Sequence, residues 1–156
     1  DLAAKNQNIV VAKTFSKIYG LAGARIGYVI AHPHTIKKLL AFQPWPDSNI
    51  SAVAIAAASA ALKDQVFVKD CRGKIAQSRD ICYKTFKELS LEFIPSHTNF
   101  ILFNIGKIGP GFSQKMQDKN IFVQYRDHFG GKWCRVSMGT IDEMKTFCSA
   151  LKSITG

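Results

Sequence analysis

The stretch "TFSKIYGLAGARIGY", residues 14–28, holds the side chains best suited to chemistry. Lys17 follows the hydroxyls of Thr14 and Ser16, and Gly20, Gly23, Gly27, Ala22, Ala24 and Arg25 come after it. Small residues let a backbone approach a ligand closely, because no side chain stands in the way. Successive backbone N–H groups in such a turn, with two hydroxyls beside them, make a cradle for a phosphate. A guanidinium at position 25 can close that cradle with a bidentate, charge-assisted pair. Lys17 then has two open roles: a further phosphate contact, or a nucleophilic amine whose pKa is lowered by burial and nearby positive charge. A P-loop is excluded, since GxxxxGK followed by Ser or Thr is absent and the lysine precedes the glycines. What remains is an amine aimed at a carbonyl with a phosphate held close by, and pyridoxal phosphate carries both groups on one ring.

The flanking patterns predict how this segment is held. "NIVVAKTF" is a β-branched run that reads as a buried strand delivering the motif, and "RIGYVIAH" is a second strand halted by Pro33. "PHTIKKLLAF" has proline in a first helical turn and Ile36, Leu39 and Leu40 at helical spacing, and "QPWPDSN" breaks it. "ISAVAIAAASAALKD" predicts a small-residue helix buried on most of its surface. "QVFVKDCRGKIAQSRDICYKTFKELS" predicts a long helix with Val68, Ile75, Ile81, Cys82, Phe86 and Leu89 on one face. Then come a strand in "TNFILFNI", a glycine-led helix in "GPGFSQKMQDKN", and strands in "IFVQYR" and "KWCRVSMGT". A closing helix in "IDEMKTFCSALKSI" is capped by Thr140 or Asp142, with Phe147 and Leu151 spaced for its inner face. This order predicts an α/β chain ending in a small unit with a mostly antiparallel sheet. The expected division is residues 1–65, a long linking helix over 66–90, and a small domain over 91–156. Trp133 and the phenylalanines are expected in the core, Tyr19 likewise, and Asn99 is expected to order a turn.

Composition narrows the field. The 156 residues are 47% hydrophobic, and the longest apolar run, around residues 52–62, is too short to span a bilayer. A net charge of +10 invites an anionic partner. Yet the lysines and arginines are scattered, without aromatic interleaving or a nucleic-acid-binding motif, so neither nucleic acid nor membrane is expected as a partner. Cys71, Cys82, Cys134 and Cys148 lie far apart with no CxxC pair, which suits reduced thiols in the cytoplasm. His32, His34, His97 and His128 have no metal-ligand spacing, and no metal is expected. The N-terminal "DLAAKNQN" does not read as a signal peptide, and the missing initial Met suggests further sequence upstream.

"TFSKIYGLAGARIGY" resembles the cofactor-lysine segment of the class I/II aminotransferases of PLP fold type I, and within them is most similar to the histidinol-phosphate aminotransferases. The likeness continues through the spaced small residues of 44–64, "HTNFILF" at 97–103, "VQYRD" at 123–127 and "WCRVSMGTIDEM" at 133–144, so it covers nearly the whole chain. It implies the end of a large domain with a mixed sheet and helices, followed by a small C-terminal α/β domain. It further implies that Lys17 forms the Schiff base with pyridoxal 5′-phosphate, while Thr14, Ser16 and Arg25 hold the cofactor phosphate. Arg135 would match the arginine that binds the acidic end of the substrate, and Arg126 a second arginine near the substrate phosphate. The implied reaction is amino-group exchange with a keto acid such as 2-oxoglutarate, with small-molecule substrates and a homodimer.

The same likeness exposes a shortfall. The family's ring-stacking aromatic, its Asn and Tyr to the ring hydroxyl and the Asp that pairs with the pyridine nitrogen are not found here. The chain is therefore expected to be a C-terminal portion with little or no turnover alone. Two other functions remain in view: a threonine-phosphate-decarboxylase-like enzyme with the same cofactor, and a non-catalytic basic module. Arg25 as an ordinary ion-pair partner, and Arg135 as a solvent-facing strand residue beside Val136, are the plainer alternatives at those positions.

Overall fold

A computed structural model describes residues 1–43, 45, 49–109, 111–128 and 131–155, with the side chains of residues 126–128 outside the description. The chain divides into two compact units, Asp1–Lys69 and Asp70–Gly156, the division falling inside one helix.

In the first unit, α1 (Leu2–Lys5) precedes β1 (Val10–Thr14), which pairs antiparallel with β2 (Gly27–Ala31) from Val10↔Ala31 to Thr14↔Gly27. The β-branched pairs that predict strands thus form a two-stranded ribbon. α2 (Pro33–Leu40) begins where proline's missing N–H costs nothing, and the His32 ring accepts the His34 N–H at 3.1 Å as its cap. The Thr35 hydroxyl donates to the Gln7 carbonyl at 2.7 Å, tying α2 to the loop before β1. α2 stops before the "QPWPDSN" segment, whose Pro44, Pro46, Asp47 and Ser48 lie outside the described residues.

α3 (Ala52–Lys63) corrects the expectation of burial: only Ala54 and Ala58 are buried, while Val53 is 78% exposed and Ile55 and Leu62 are also exposed. Small apolar residues signal a buried helix only where a partner layer covers them, and here the covered stripe is buried Ala54 and Ala58 with half-buried Ala57 and Ala61. The phenylalanine expectation is corrected too, since Phe42 is 85% and Phe122 79% exposed.

α4 (Gln65–Glu88) buries Ser78, Cys82, Thr85 and Phe86, a spacing of four, three and one that keeps one face inward. Two of these four are polar, so the inner face differs from the apolar stripe expected. Fully buried Ser78 donates to the Gly139 carbonyl at 3.0 Å, which removes the cost of burying its hydroxyl.

The second unit carries a four-stranded antiparallel sheet in the order β3-β4-β6-β5. Its strands are β3 (Phe93–Ile94), β4 (Phe100–Asn104), β5 (Gln124–His128) and β6 (Gly131–Ser137). β3 is too short to announce itself in sequence, and β5 starts three residues later than the run "IFVQYR" suggests. α5 (Phe112–Gln117) follows Gly111, whose φ of +81° explains the glycine lead. α6 (Ile141–Thr155) takes Thr140 as its cap. The Thr140 N–H donates to Glu143 Oε2 at 2.7 Å and the Glu143 N–H to Thr140 Oγ1 at 3.3 Å, a reciprocal capping box.

Strand alternation decides the core. Ile101, Phe103, Cys134 and Val136 are buried on one sheet face and cluster with Cys82 and Phe86 of α4 and Met144, Phe147 and Leu151 of α6. Phe103 is central, with ring centroids 4.6 Å from Phe86, 6.0 Å from Phe112 and 6.1 Å from Phe147. Asn99 orders the entry to β4 through its carbonyl, which accepts the Met138 N–H at 2.8 Å.

Candidate functional site

Lys17 sits on the loop that joins β1 to β2, residues 15–26. Two backbone bonds pinch its base: Phe15 N–H to the Ile26 carbonyl at 3.2 Å and Leu21 N–H to the Phe15 carbonyl at 3.0 Å. Phe15 is buried at 3% exposure, with ring centroids 4.9 Å from Tyr19 and 5.7 Å from Tyr28. An aromatic plug thus anchors the loop beside Ser16 and Lys17. Tyr19, expected in the core, is a half-buried member of that plug.

Gly20 N–H donates to the Lys17 carbonyl at 2.9 Å, closing a turn that Lys17 opens, and Gly20 adopts φ +67° to complete it. Gly27 answers a different need: a Cβ there would meet the Lys13 carbonyl oxygen at 2.6 Å across the ribbon. Gly23 meets neither condition, with open space where its Cβ would lie. The Lys17 side chain is exposed, Ser16 is half-buried, and the Ser16 N–H donates to Thr14 Oγ1 at 3.1 Å. That bond ties the Thr14 hydroxyl to the Ser16 backbone just before the lysine.

Residues 22–24 form a single 3₁₀ turn, and Arg25 follows it in the left-handed region at φ 50°, ψ 47°. For a residue with a Cβ this conformation costs roughly 1 kcal/mol, and such strain concentrates at functional positions. Arg25 Nη1 donates to the Ala22 carbonyl at 3.0 Å, so the guanidinium is bent back over its own loop with its other N–H groups available. An amine, a hydroxyl and a guanidinium therefore share one pinned loop, with the Thr14 hydroxyl at the end of the strand that leads into it. That donor set fits a ligand carrying a carbonyl and a phosphate.

Arg135 lies in the second unit, on β6, facing away from the core. Its guanidinium carbon stands 4.1 Å from the centroid of the Phe100 ring, and its Nη1 donates to Gln124 Oε1 at 3.1 Å. The register explains both contacts, because Gln124 is directly opposite Arg135 and Phe100 is opposite Ser137, one diagonal step away. A cavity of about 640 Å³ is lined by Arg135, Gln124, Ser137 and Thr140 together with Asp142 and Glu143. Arg126 is placed by the backbone opposite Trp133, and its side chain lies outside the described residues.

Neither Phe100 nor Gln124 stands out from the sequence. Their only signal is the strand register, which cannot be fixed while "DHFGGK" allows several turn placements. Among the described residues no group of three or more His, Cys, Asp and Glu could hold a metal ion, and no helix is long and apolar enough to cross a membrane.

Three comparisons bear on this geometry. The sequence profile of the class I and II aminotransferases matches residues 1–151. The chain is 36% identical over 153 residues to a histidinol-phosphate aminotransferase of Moorella thermoacetica, covering 97% of this chain and 39% of that protein. It is 37% identical over 149 residues to the enzyme of that name from Caldicellulosiruptor saccharolyticus, covering 95% and 41%. The crystal structure of histidinol-phosphate aminotransferase from Sinorhizobium meliloti, in complex with pyridoxal-5′-phosphate, superposes with a TM-score of 0.80 at 32% identity, over 96% of this chain and 41% of that one. The chain thus spans about two-fifths of the length of the curated relatives it matches.

Proposed function

Because the chain belongs to the class I and II aminotransferase family, we propose that it carries the cofactor-lysine and substrate-arginine part of a pyridoxal-phosphate-dependent transaminase acting on histidinol phosphate. The observation that carries the reading is the pinned loop 15–26, which bears Ser16, Lys17 and Arg25 directly after Thr14 at the end of β1. In this proposal residues 1–65 belong to the cofactor-binding domain, the helix over 66–90 links onward, and 91–156 form the small domain.

Thr14, Ser16 and Arg25 would hold the cofactor phosphate. Arg25 suits that role because a guanidinium already bonded to its own loop loses little freedom on meeting an oxyanion. Lys17 Nζ would hold the cofactor's aldehyde carbon. The same amine would be the general base that takes the proton from the substrate carbon bearing the amino group. Pyridoxal phosphate, when bound, supplies the electron sink that makes this proton removable. Arg135 would bind the acidic end of the substrate, with Arg126 as a second arginine near the substrate phosphate. 2-Oxoglutarate is the proposed acceptor of the amino group. The free thiols support a cytoplasmic setting, and the exposed apolar side chains of α3 support association as a homodimer.

Borohydride treatment of the chain with pyridoxal phosphate, followed by peptide mapping, tests the assignment. A reduced adduct concentrated on Lys17 is expected. Adducts spread evenly over Lys13, Lys17 and Lys37 refute it. A protein of the relatives' length carrying these residues should exchange amino groups between histidinol phosphate and 2-oxoglutarate. Release of carbon dioxide from threonine phosphate instead would select the decarboxylase.

A further inference from the structure

We propose that Phe100 and Gln124 are positioning residues for Arg135, which together lock its guanidinium into one plane and leave that plane's free edge to capture an oxyanion. The inference rests on the reading of Arg135 as a substrate-binding residue and adds what makes it selective.

Three adjacent strands converge on this arrangement. β4 supplies an aromatic face, β6 the cation and β5 an amide acceptor, and the antiparallel register puts all three on the sheet face opposite the core. The guanidinium carbon stands over the Phe100 ring at 4.1 Å from its centroid, where the negative face of the ring attracts a cation. The Gln124 oxygen at 3.1 Å engages Nη1 and removes rotation within that plane. One contact fixes tilt and the other fixes spin, so an otherwise flexible side chain is ordered before any ligand arrives. Of the five N–H donors of an arginine, one is engaged by Gln124, and the others remain in the plane. An oxyanion is then met edge-on and bidentately.

Gln124 contributes a second property. Its side chain is neutral, so it orders the cation without cancelling its charge, as an aspartate or glutamate at that position would. The acidic groups lining the same cavity are engaged elsewhere: Asp142 accepts from Lys145 Nζ at 3.1 Å, and Glu143 accepts from the Thr140 N–H at 2.7 Å. The positive charge of Arg135 is thus left for a ligand.

The test is nitrogen NMR of the Arg135 guanidinium in the labelled full chain, combined with a titration of inorganic phosphate in an Arg25→Ala background, which removes the phosphate cradle proposed for the first unit. The expected wild-type result is resolved, slowly exchanging Nη signals for Arg135. In Gln124→Ala and Phe100→Leu these signals merge, and phosphate binds about 3- to 10-fold more weakly. Phe100→Tyr, which keeps the ring, restores the wild-type signals. Gln124 is an exposed strand residue, so its variant decides the matter even if Phe100→Leu misfolds. Averaged Arg135 signals in the wild type, or unchanged signals in Gln124→Ala, overturn the inference. Arg135→Lys tests the underlying reading separately: phosphate binding unaltered by that change refutes Arg135 as the anion site, whatever the signals show.

Discussion

The two units of this chain place comparable chemistry on unlike foundations. In Asp70–Gly156 a four-stranded sheet and two long helices enclose one continuous core. Among the described residues of Asp1–Lys69 the buried apolar ones are Ala3, Phe15, Ala54 and Ala58, and Val10, Val29, Ile30 and Trp45 stay exposed around a two-stranded ribbon. A ribbon of two strands is marginal by itself. Arg135 therefore inherits its precision from a packed sheet, whereas Lys17 depends on local devices: a pinched loop, an aromatic plug and a turn completed by Gly20.

Truncating the core sharpens the contrast most. Phe103→Ala should cost about 3–5 kcal/mol in urea unfolding, because the aromatic cluster cannot collapse onto the space left. Val53→Ala, on the exposed side of α3, should change it by less than about 0.5 kcal/mol. Equal losses would break the comparison.

Gly27→Ala comes next. The added methyl meets the Lys13 carbonyl, and the strain should be about 1–3 kcal/mol, concentrated in the first unit. Amide exchange reads it: β1 and β2 should lose protection while β4 and β6 keep theirs. Uniform loss across both sheets would mean that the units do not open separately.

A smaller effect belongs to the α6 cap. Thr140→Ala should cost about 1 kcal/mol at neutral pH. Hydrogen bonds from the Thr140 N–H, and then from its hydroxyl, hold the Glu143 carboxyl below the usual carboxylate range. A depressed folded pKa stabilises above the unfolded value and loses that effect as pH falls through the folded one. Urea midpoints should therefore show the Thr140→Ala penalty shrinking in acid, and an unchanged penalty there would discount the box.

The faintest signal is spectroscopic. Cys148 is held down to about 7, chiefly by a hydrogen bond from Cys82 and also by Thr85 and the Lys152 charge, against the upward push of burial. Burial alone pushes Cys134 up to about 12. The ultraviolet thiolate band should therefore grow as pH rises through about 7, and Cys148→Ser should abolish that early step. A band appearing only in the alkaline range would place Cys148 with Cys134.

Much of this architecture was readable beforehand, for reasons that differ by element. Alternating apolar residues in "TNFILFNI" and "KWCRVSMGT" mark β4 and β6 because one face must enter the core. α4 was readable as a helix, but buried Ser78 and Thr85 were not, since a polar residue declares its burial only through a partner distant in sequence. α3 misled because composition reports what a helix could bury, not what covers it. At the candidate site, the residue types around Lys17 were legible. The left-handed backbone of Arg25 was not, because nothing in an arginine's side chain asks for it. Gln124 was hidden for yet another reason, since its meaning comes entirely from which residue it faces.

On β6, Cys134 and Val136 point into the core and Arg135 between them points out. A single inserted residue upstream in that strand would exchange the two sets, driving a permanent charge into hydrocarbon and two apolar groups into water. Evolution or an engineer wishing to move this cation along the sheet can therefore do so only in strides of two residues, roughly 7 Å apart. The position of this cation along the sheet is in that sense digital, and intermediate placements must come from the loops.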